Sequence, residues 1–64
     1  MAVIKVPDMQ CEHCVQRIRE ALIPTGIRFE ISLEDKTVTV FGCGDTVFTV
    51  MDEIEDLGFT AIKA

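Results

Sequence analysis

The 64-residue sequence has no long hydrophobic run and few basic residues, and each deficit excludes a class of function. No apolar stretch approaches the roughly 18 residues that a membrane-spanning helix needs, so we expect no membrane segment. The start of the chain lacks the charged flank and the long apolar stretch of a secretory signal, which predicts a cytoplasmic protein. Six Lys and Arg stand against eleven Asp and Glu, for a formal net charge of −5. This balance argues against nucleic acid and membrane as partners, because both are bound chiefly through basic side chains.

Aromatic residues are also scarce, since Trp and Tyr are absent, yet 48% of the residues are hydrophobic and these are spread through the chain. That distribution predicts a folded domain rather than a disordered segment. We expect a single domain over residues 1–64. A domain of this size buries only about 60% of the surface that its unfolded chain exposes, so we expect neither a deep catalytic cleft nor an enzyme.

Hydrophobic periodicity predicts six elements in the order βαββαβ. Alternation of apolar and polar residues predicts strands, and apolar residues three and four positions apart predict helices. The predicted strands are residues 2–6, 27–33, 37–41 and 59–63, and the predicted helices are residues 14–23 and 45–57. Asp45 or Thr46 is expected to cap the second helix, and Gly58 to adopt the left-handed conformation after it. This order predicts an α+β, ferredoxin-like fold, with a four-stranded antiparallel sheet and two helices on one face.

The predicted topology separates the three cysteines. The loop of Cys11 and Cys14 shares one end of the domain with the hairpin turn at residues 34–36 and with the turn at Gly58. The loop of Cys43 lies at the other end, about 18 Å away along the second helix. A disulfide needs Cα atoms within about 7 Å, so we expect Cys43 to join neither of the other two cysteines.

The segment from Met9 to Cys14, Met-Gln-Cys-Glu-His-Cys, carries the candidate chemistry. Two cysteines three positions apart across a helix start can point at one spot, and the free N–H groups there favour thiolates. We expect Cys14, in the first helical turn, to have the lowered pKa. Thiolates select soft metal ions. A site with two thiolates suits an ion that takes two or three ligands, whereas structural zinc takes four. The sequence therefore predicts Cys11 and Cys14 as ligands of Cu(I), with Ag(I) or Hg(II) as alternatives and Zn(II) disfavoured.

A Met-x-Cys-x-x-Cys motif after the first strand of a βαββαβ chain resembles the heavy-metal-associated domain. With His13 directly before the second cysteine, the motif is similar to that of small bacterial copper chaperones. The resemblance covers nearly the whole chain, including Ile-Glu-Asp-Leu-Gly-Phe at residues 54–59. It implies Cys11 and Cys14 as the two metal ligands, Met9 as a buried loop anchor and Phe59 as the aromatic residue near the site.

The resemblance also implies partners and states of association. A P-type copper ATPase domain, or a copper-responsive regulator with thiolate ligands, would receive the metal. The apo-protein would be a monomer, with a metal-bridged dimer as a further state.

Two positions depart from the family pattern, and a third distinguishes the chain from zinc-pump domains. Asp8 replaces the common Gly before the Met, which puts a negative charge near the thiolates. Phe59 replaces the Tyr that is frequent in bacterial chaperones. In having Phe at this position, the chain resembles the metal-binding domains of copper-pumping ATPases. Gln10 stands where zinc-pump domains often carry Asp, which disfavours zinc.

The function that these features predict is a cytosolic metallochaperone that passes Cu(I) to a partner by thiolate exchange. Two alternatives within the family stay open, an N-terminal regulatory metal-binding domain of a P-type ATPase and a mercuric-ion-binding protein. A thiol oxidoreductase is disfavoured because a thioredoxin-like fold needs a longer chain and a cis-Pro opposite the motif. Met9 is interpreted as a core residue rather than a thioether ligand, and His13 as solvated, with a role in tuning the site or bridging two molecules left open.

Overall fold

A computed structural model of the protein describes residues 2–64, so Met1 of the predicted domain lies outside the described residues. Four strands and two helices follow one another in the predicted βαββαβ order. They are β1 (Ala2–Lys5), α1 (Glu12–Leu22), β2 (Arg28–Ser32), β3 (Thr37–Phe41), α2 (Gly44–Asp56) and β4 (Ile62–Lys63), with a 3-10 turn at Ile23–Thr25 after α1. The strands form one antiparallel sheet in the order β2-β3-β1-β4. The ferredoxin-like α+β fold predicted from the sequence is confirmed.

The core is apolar throughout. In α1 the residues Ile18 and Leu22, four positions apart, are fully buried, and in β3 the alternate residues Val38 and Val40 are fully buried. The complete set of buried side chains is Ile4, Val6, Met9, Ile18, Leu22, Val38, Val40, Val47, Val50, Ile54 and Ala61. Within residues 2–64 no polar or charged side chain is buried, so folding depends on apolar packing. No helix in this described range is long and apolar enough to cross a bilayer.

The hydrogen bonds between loops place the first loop and two turns at one end of the sheet. The N–H of Val6, just after β1, donates to the carbonyl of Lys36 in the β2–β3 turn at 2.8 Å. The N–H of Thr60, after α2, donates to the Asp8 carboxylate at 2.8 Å. In the register of β1 on β3, Lys5 faces Thr37 at this end and Ala2 faces Val40 at the other, beyond which the chain reaches Cys43. The cysteine pair and Cys43 therefore lie at opposite ends, as expected.

Both helices begin earlier than the sequence indicated. The backbone N–H groups of Cys14 and Val15 donate to the carbonyl of Cys11, which makes Cys11 the N-cap of α1. In the same way the N–H of Val47 donates to the carbonyl of Cys43, the N-cap of α2. The expectation that Asp45 or Thr46 caps α2 is therefore wrong, because the first turn already includes both residues.

The last strand is shorter than predicted. β4 comprises Ile62–Lys63 rather than residues 59–63. The N–H of Phe59 donates to the carbonyl of Ile54 at the end of α2, and the N–H of Thr60 donates to Asp8. Both donors are used outside the sheet, so this segment forms a turn instead of a strand.

A glycine in the left-handed conformation ends α2, as predicted. Gly58 has φ of 93°, and its N–H donates to the carbonyl of Glu55 at 2.9 Å. Together with the Phe59 to Ile54 hydrogen bond, this is the paired arrangement that closes many helices.

We expect Gly58→Ala to lower the free energy of unfolding by about 1–2 kcal/mol, because a Cβ disfavours the left-handed conformation. No atom would clash with the added Cβ, so the effect comes from the backbone alone. Urea unfolding measures it, with Gly44→Ala as the matched control, since Gly44 begins α2 without a positive φ and also has open space around it. Equal stability of the two variants would contradict this account of the turn.

Candidate metal centre

The loop between β1 and α1 is held in place by a buried methionine. Met9 is fully buried in the core, as is Val6, and the N–H of Met9 donates to the carbonyl of Val6 at 3.0 Å. This turn carries the chain out through Pro7 and Asp8 and back into the core within three residues. Burial of Met9 agrees with its predicted role as a packing residue, and it leaves Gln10 and Cys11 exposed at the start of α1.

The two cysteines of the motif lie side by side. The Sγ atoms of Cys11 and Cys14 are 3.7 Å apart, and both thiols are free. Cys11 is exposed, whereas Cys14 is half-buried and packs against the core. Residues three positions apart share one side of a helix, so the helix start itself brings the sulfurs together.

The distance between the sulfurs suits a shared ion. A zinc–thiolate bond is about 2.3 Å long, so two sulfurs that share one ion through bonds of this length lie at most about 4.6 Å apart. The observed 3.7 Å lies below that limit, so the two sulfurs are close enough to share one ion. Because Cys11 is exposed, a further ligand from solvent or from another molecule can also reach the pair.

The pKa of the Cys11 thiol is lowered from its ordinary value. The largest cause is the backbone N–H of Cys14, followed by the Cys14 thiol and the backbone N–H of His13, while desolvation and the Glu12 carboxylate act in the opposite direction. Sequence reasoning had expected the lowered pKa at Cys14. The structure shows a lowered pKa at Cys11, the N-cap residue, next to the N–H groups of His13 and Cys14 in the first turn.

The other candidate residues do not join the cysteine pair. His13 is exposed and lines a shallow groove with Gln16, Arg17 and Glu20. Across residues 2–64 no group of three or more His, Cys, Asp and Glu residues is close enough to hold a metal ion. Cys43 is exposed, and its sulfur lies 3.6 Å from the Thr46 hydroxyl, which is the largest cause of its own lowered thiol pKa.

Two contacts at this end of the fold were not predicted. Phe59 is half-buried against the core, and the guanidinium of Arg17 lies 5.8 Å from the centre of its ring, a cation–π contact. The carboxylate of Asp8 accepts the hydrogen bond from Thr60 described above. Both contacts join segments more than 40 positions apart, so no local pattern in the sequence signals them.

Comparison with known proteins places the motif within a family. The model of the heavy-metal-associated domain matches residues 3–60. The chain is also similar to the solved structure of the heavy metal binding protein TM0320 from Thermotoga maritima. The two are 34% identical over 94% of this chain and 88% of that one, with a TM-score of 0.77.

Two further solved structures are similar at lower identity. A copper binding domain from HMA7, a P-type ATPase, is 24% identical over 100% of this chain and 95% of that one, with a TM-score of 0.81. The copper chaperone Atx1 from Synechocystis PCC6803 is 18% identical over 95% and 98%, with a TM-score of 0.74. These two likenesses show the shared fold. A search of curated proteins gave no match.

We expect Glu12→Gln to move the alkylation midpoint of Cys11 in the apo-protein to lower pH. The Glu12 carboxylate raises the pKa of Cys11, so its removal lets the thiolate persist further into acid. Reaction with iodoacetamide between pH 5 and 9, followed by mass spectrometry of the Cys11 peptide, measures the midpoint. Glu30→Gln, on an exposed position of β2, is the control with the same change in charge. A midpoint shifted equally in both variants would exclude a local effect.

We expect Met9→Ala to lower the free energy of unfolding by about 2–5 kcal/mol, since it opens a cavity where a side chain is fully buried. Met9→Leu conserves volume and should lower it by less than about 1.5 kcal/mol. Urea unfolding measures the free energy of unfolding of both variants, and competition with a Cu(I) chelator measures the affinity of each variant for Cu(I). If Met9→Leu folds normally but loses Cu(I) affinity, the thioether is a ligand and the packing interpretation is wrong.

Proposed function

The chain belongs to the heavy-metal-associated domain family, and we propose that it carries Cu(I) between the thiolates of Cys11 and Cys14. The observation that supports this most directly is the pair of free thiols 3.7 Å apart on an exposed helix start. In this function the ion is cargo, and the protein holds it without catalysing a reaction.

Copper is the proposed ion because of the donor set. Two thiolates with no third protein donor suit a soft ion of low coordination number. Structural zinc takes four protein ligands, and the described residues offer no group of three candidate donors. Among the similar structures, one is a copper binding domain and another a copper chaperone, which supports the same choice. Ag(I) and Hg(II) share the preference for thiolates, so they serve as probes of the same site.

Transfer by thiolate exchange is the proposed mechanism. An incoming thiolate from a partner would reach the exposed side of the cysteine pair, so the ion would have three sulfur ligands. Cys11 then leaves first, since it is exposed while Cys14 is held against the core. A second incoming thiolate displaces Cys14 and completes the transfer. The lowered pKa of Cys11 favours uptake of the ion, because it favours the thiolate, which is the form of cysteine that binds the metal.

The proposed partner is a cytoplasmic protein with its own pair of thiolates, either a P-type copper ATPase domain or a copper-responsive regulator. The formal net charge of −5 favours a partner with a basic surface, because opposite charges speed encounter without requiring a large interface. Such an encounter is brief, which suits a protein that must release its partner after each transfer.

A second candidate function is a regulatory metal-binding domain within a P-type ATPase. The fold likeness to the copper binding domain of HMA7, with a TM-score of 0.81, favours it. The ion and the ligands are the same in both functions. Sequencing the gene beyond the codon of Ala64 distinguishes them, because a transporter continues into membrane-spanning segments.

We expect the wild-type protein to bind one Cu(I) per chain and the double variant Cys11→Ser, Cys14→Ser to lose this binding. Anaerobic titration against a competing chelator measures stoichiometry and affinity. Cys43→Ser is the matched control, since Cys43 lies at the other end of the domain and should affect neither quantity. Retained high-affinity binding in the double variant would refute the proposed ligands. A loss in Cys43→Ser would refute the separation of the two ends.

A further inference from the structure

The side chain of Asp8 makes a hydrogen bond to a distant part of the chain. Its Oδ2 accepts the backbone N–H of Thr60 at 2.8 Å, a length typical of a bond to a charged acceptor. The two residues are 52 positions apart. Every other side-chain hydrogen bond among residues 2–64 joins positions two to four apart. The Asp8 to Thr60 bond is therefore the one side-chain hydrogen bond in this range that connects distant segments.

Both ends of this bond are held by rigid neighbours. Thr60 follows the paired hydrogen bonds that close α2 and precedes the buried Ala61, so its N–H has a defined direction. Asp8 stands between Pro7, whose ring fixes φ, and the fully buried Met9. The bond thus joins the loop that leads to Cys11 to the end of α2.

A second contact joins the same two parts of the molecule. Arg17 lies three positions after Cys14 in α1, and its guanidinium stands 5.8 Å from the ring centre of Phe59, next to Thr60. Asp8 lies three positions before Cys11. The cysteine pair is therefore flanked in sequence by two contacts to one turn, Asp8 on one side and Arg17 on the other.

We propose that Asp8 is a positioning residue of the metal loop, which holds the Cys11–Cys14 segment in its binding arrangement through the N–H of Thr60. The inference rests on the proposed soft-metal site. Asp8 does not touch the ion in this proposal. It reduces the freedom that the loop would lose on binding, so the ion binds a segment that is already ordered.

The test compares three variants of the full chain. Asp8→Ala removes the acceptor, while Asp8→Asn removes the charge but keeps an oxygen acceptor at the same place. Asp35→Ala is the matched control, since it removes the same charge and the local hydrogen bond that the Ser32 hydroxyl donates to the Asp35 carboxylate in the β2–β3 turn. Asp8 is exposed, so all variants should fold, and circular dichroism checks this.

The first measurement is Cu(I) affinity by anaerobic competition with a chelator, together with the rate at which excess chelator removes the ion. For Asp8→Ala we expect affinity to fall about three- to tenfold, the size of an ordinary net hydrogen-bond contribution, and removal to become faster. Asp8→Asn should stay closer to wild type than to Asp8→Ala, and Asp35→Ala should match wild type. Equal losses in Asp8→Asn and Asp8→Ala would show that charge alone acts and would overturn the proposal.

The second measurement needs no metal. Amide hydrogen exchange by NMR on the apo-protein should be faster in Asp8→Ala at Thr60, and also at Cys14 and Val15, whose N–H groups donate to the carbonyl of Cys11. Faster exchange at Thr60 alone would show a bond that positions nothing, and would overturn the inference. If the wild-type protein fails to bind Cu(I), the proposed function fails, whereas the exchange at Cys14 and Val15 still decides the role of Asp8.

Discussion

The burial of Met9 is the constraint on which the rest of the site depends. An exposed loop of polar residues has no packing of its own, and the cysteine pair would have no fixed direction without an anchor. Because the side chain of Met9 is inserted fully into the core, the chain must turn at Pro7 and Asp8 and begin α1 immediately afterwards. The packing that stabilises the domain therefore also leaves the first turn of α1 exposed to solvent. The position of Cys11 follows from this packing.

Each of the two helices starts at a cysteine, and the comparison shows what makes one of them a candidate metal centre. Cys11 and Cys43 are both exposed N-cap residues, and neighbours in the first turn lower the pKa of both thiols. Three positions later stands Cys14 in one helix and Thr46 in the other. The sulfur of Cys11 thus faces a second sulfur at 3.7 Å, whereas that of Cys43 faces a hydroxyl at 3.6 Å. A hydroxyl is a poor ligand for a soft ion, so the residue three positions on decides the chemistry.

Sequence reasoning predicted the architecture because periodicity and turn chemistry are local properties. The alternation of Val38 and Val40 and the positive φ of Gly58 are examples. The start of α2 was misplaced because capping preferences favour Asp and Thr over Cys, while Cys43 is the N-cap residue. The start of α1 was misplaced because the apolar periodicity begins only after Cys11, its N-cap residue. The truncation of β4 depends on the contact of Thr60 with a residue 52 positions away, which no window along the sequence contains. The cysteine pair was predictable from spacing, but the lowered pKa of Cys11 depends on the exact helix start.

The short last strand has a consequence for behaviour at high concentration. A sheet edge with a long row of unpaired N–H and C=O groups can pair with other chains and seed aggregation. At one edge of this sheet β4 offers two residues, and at the other β2 carries the exposed charges of Arg28 and Glu30. Neither edge is a good template for a strand from another molecule. The protein can therefore expose a reactive pair of sulfurs at one end while its sheet resists the growth of intermolecular β-structure.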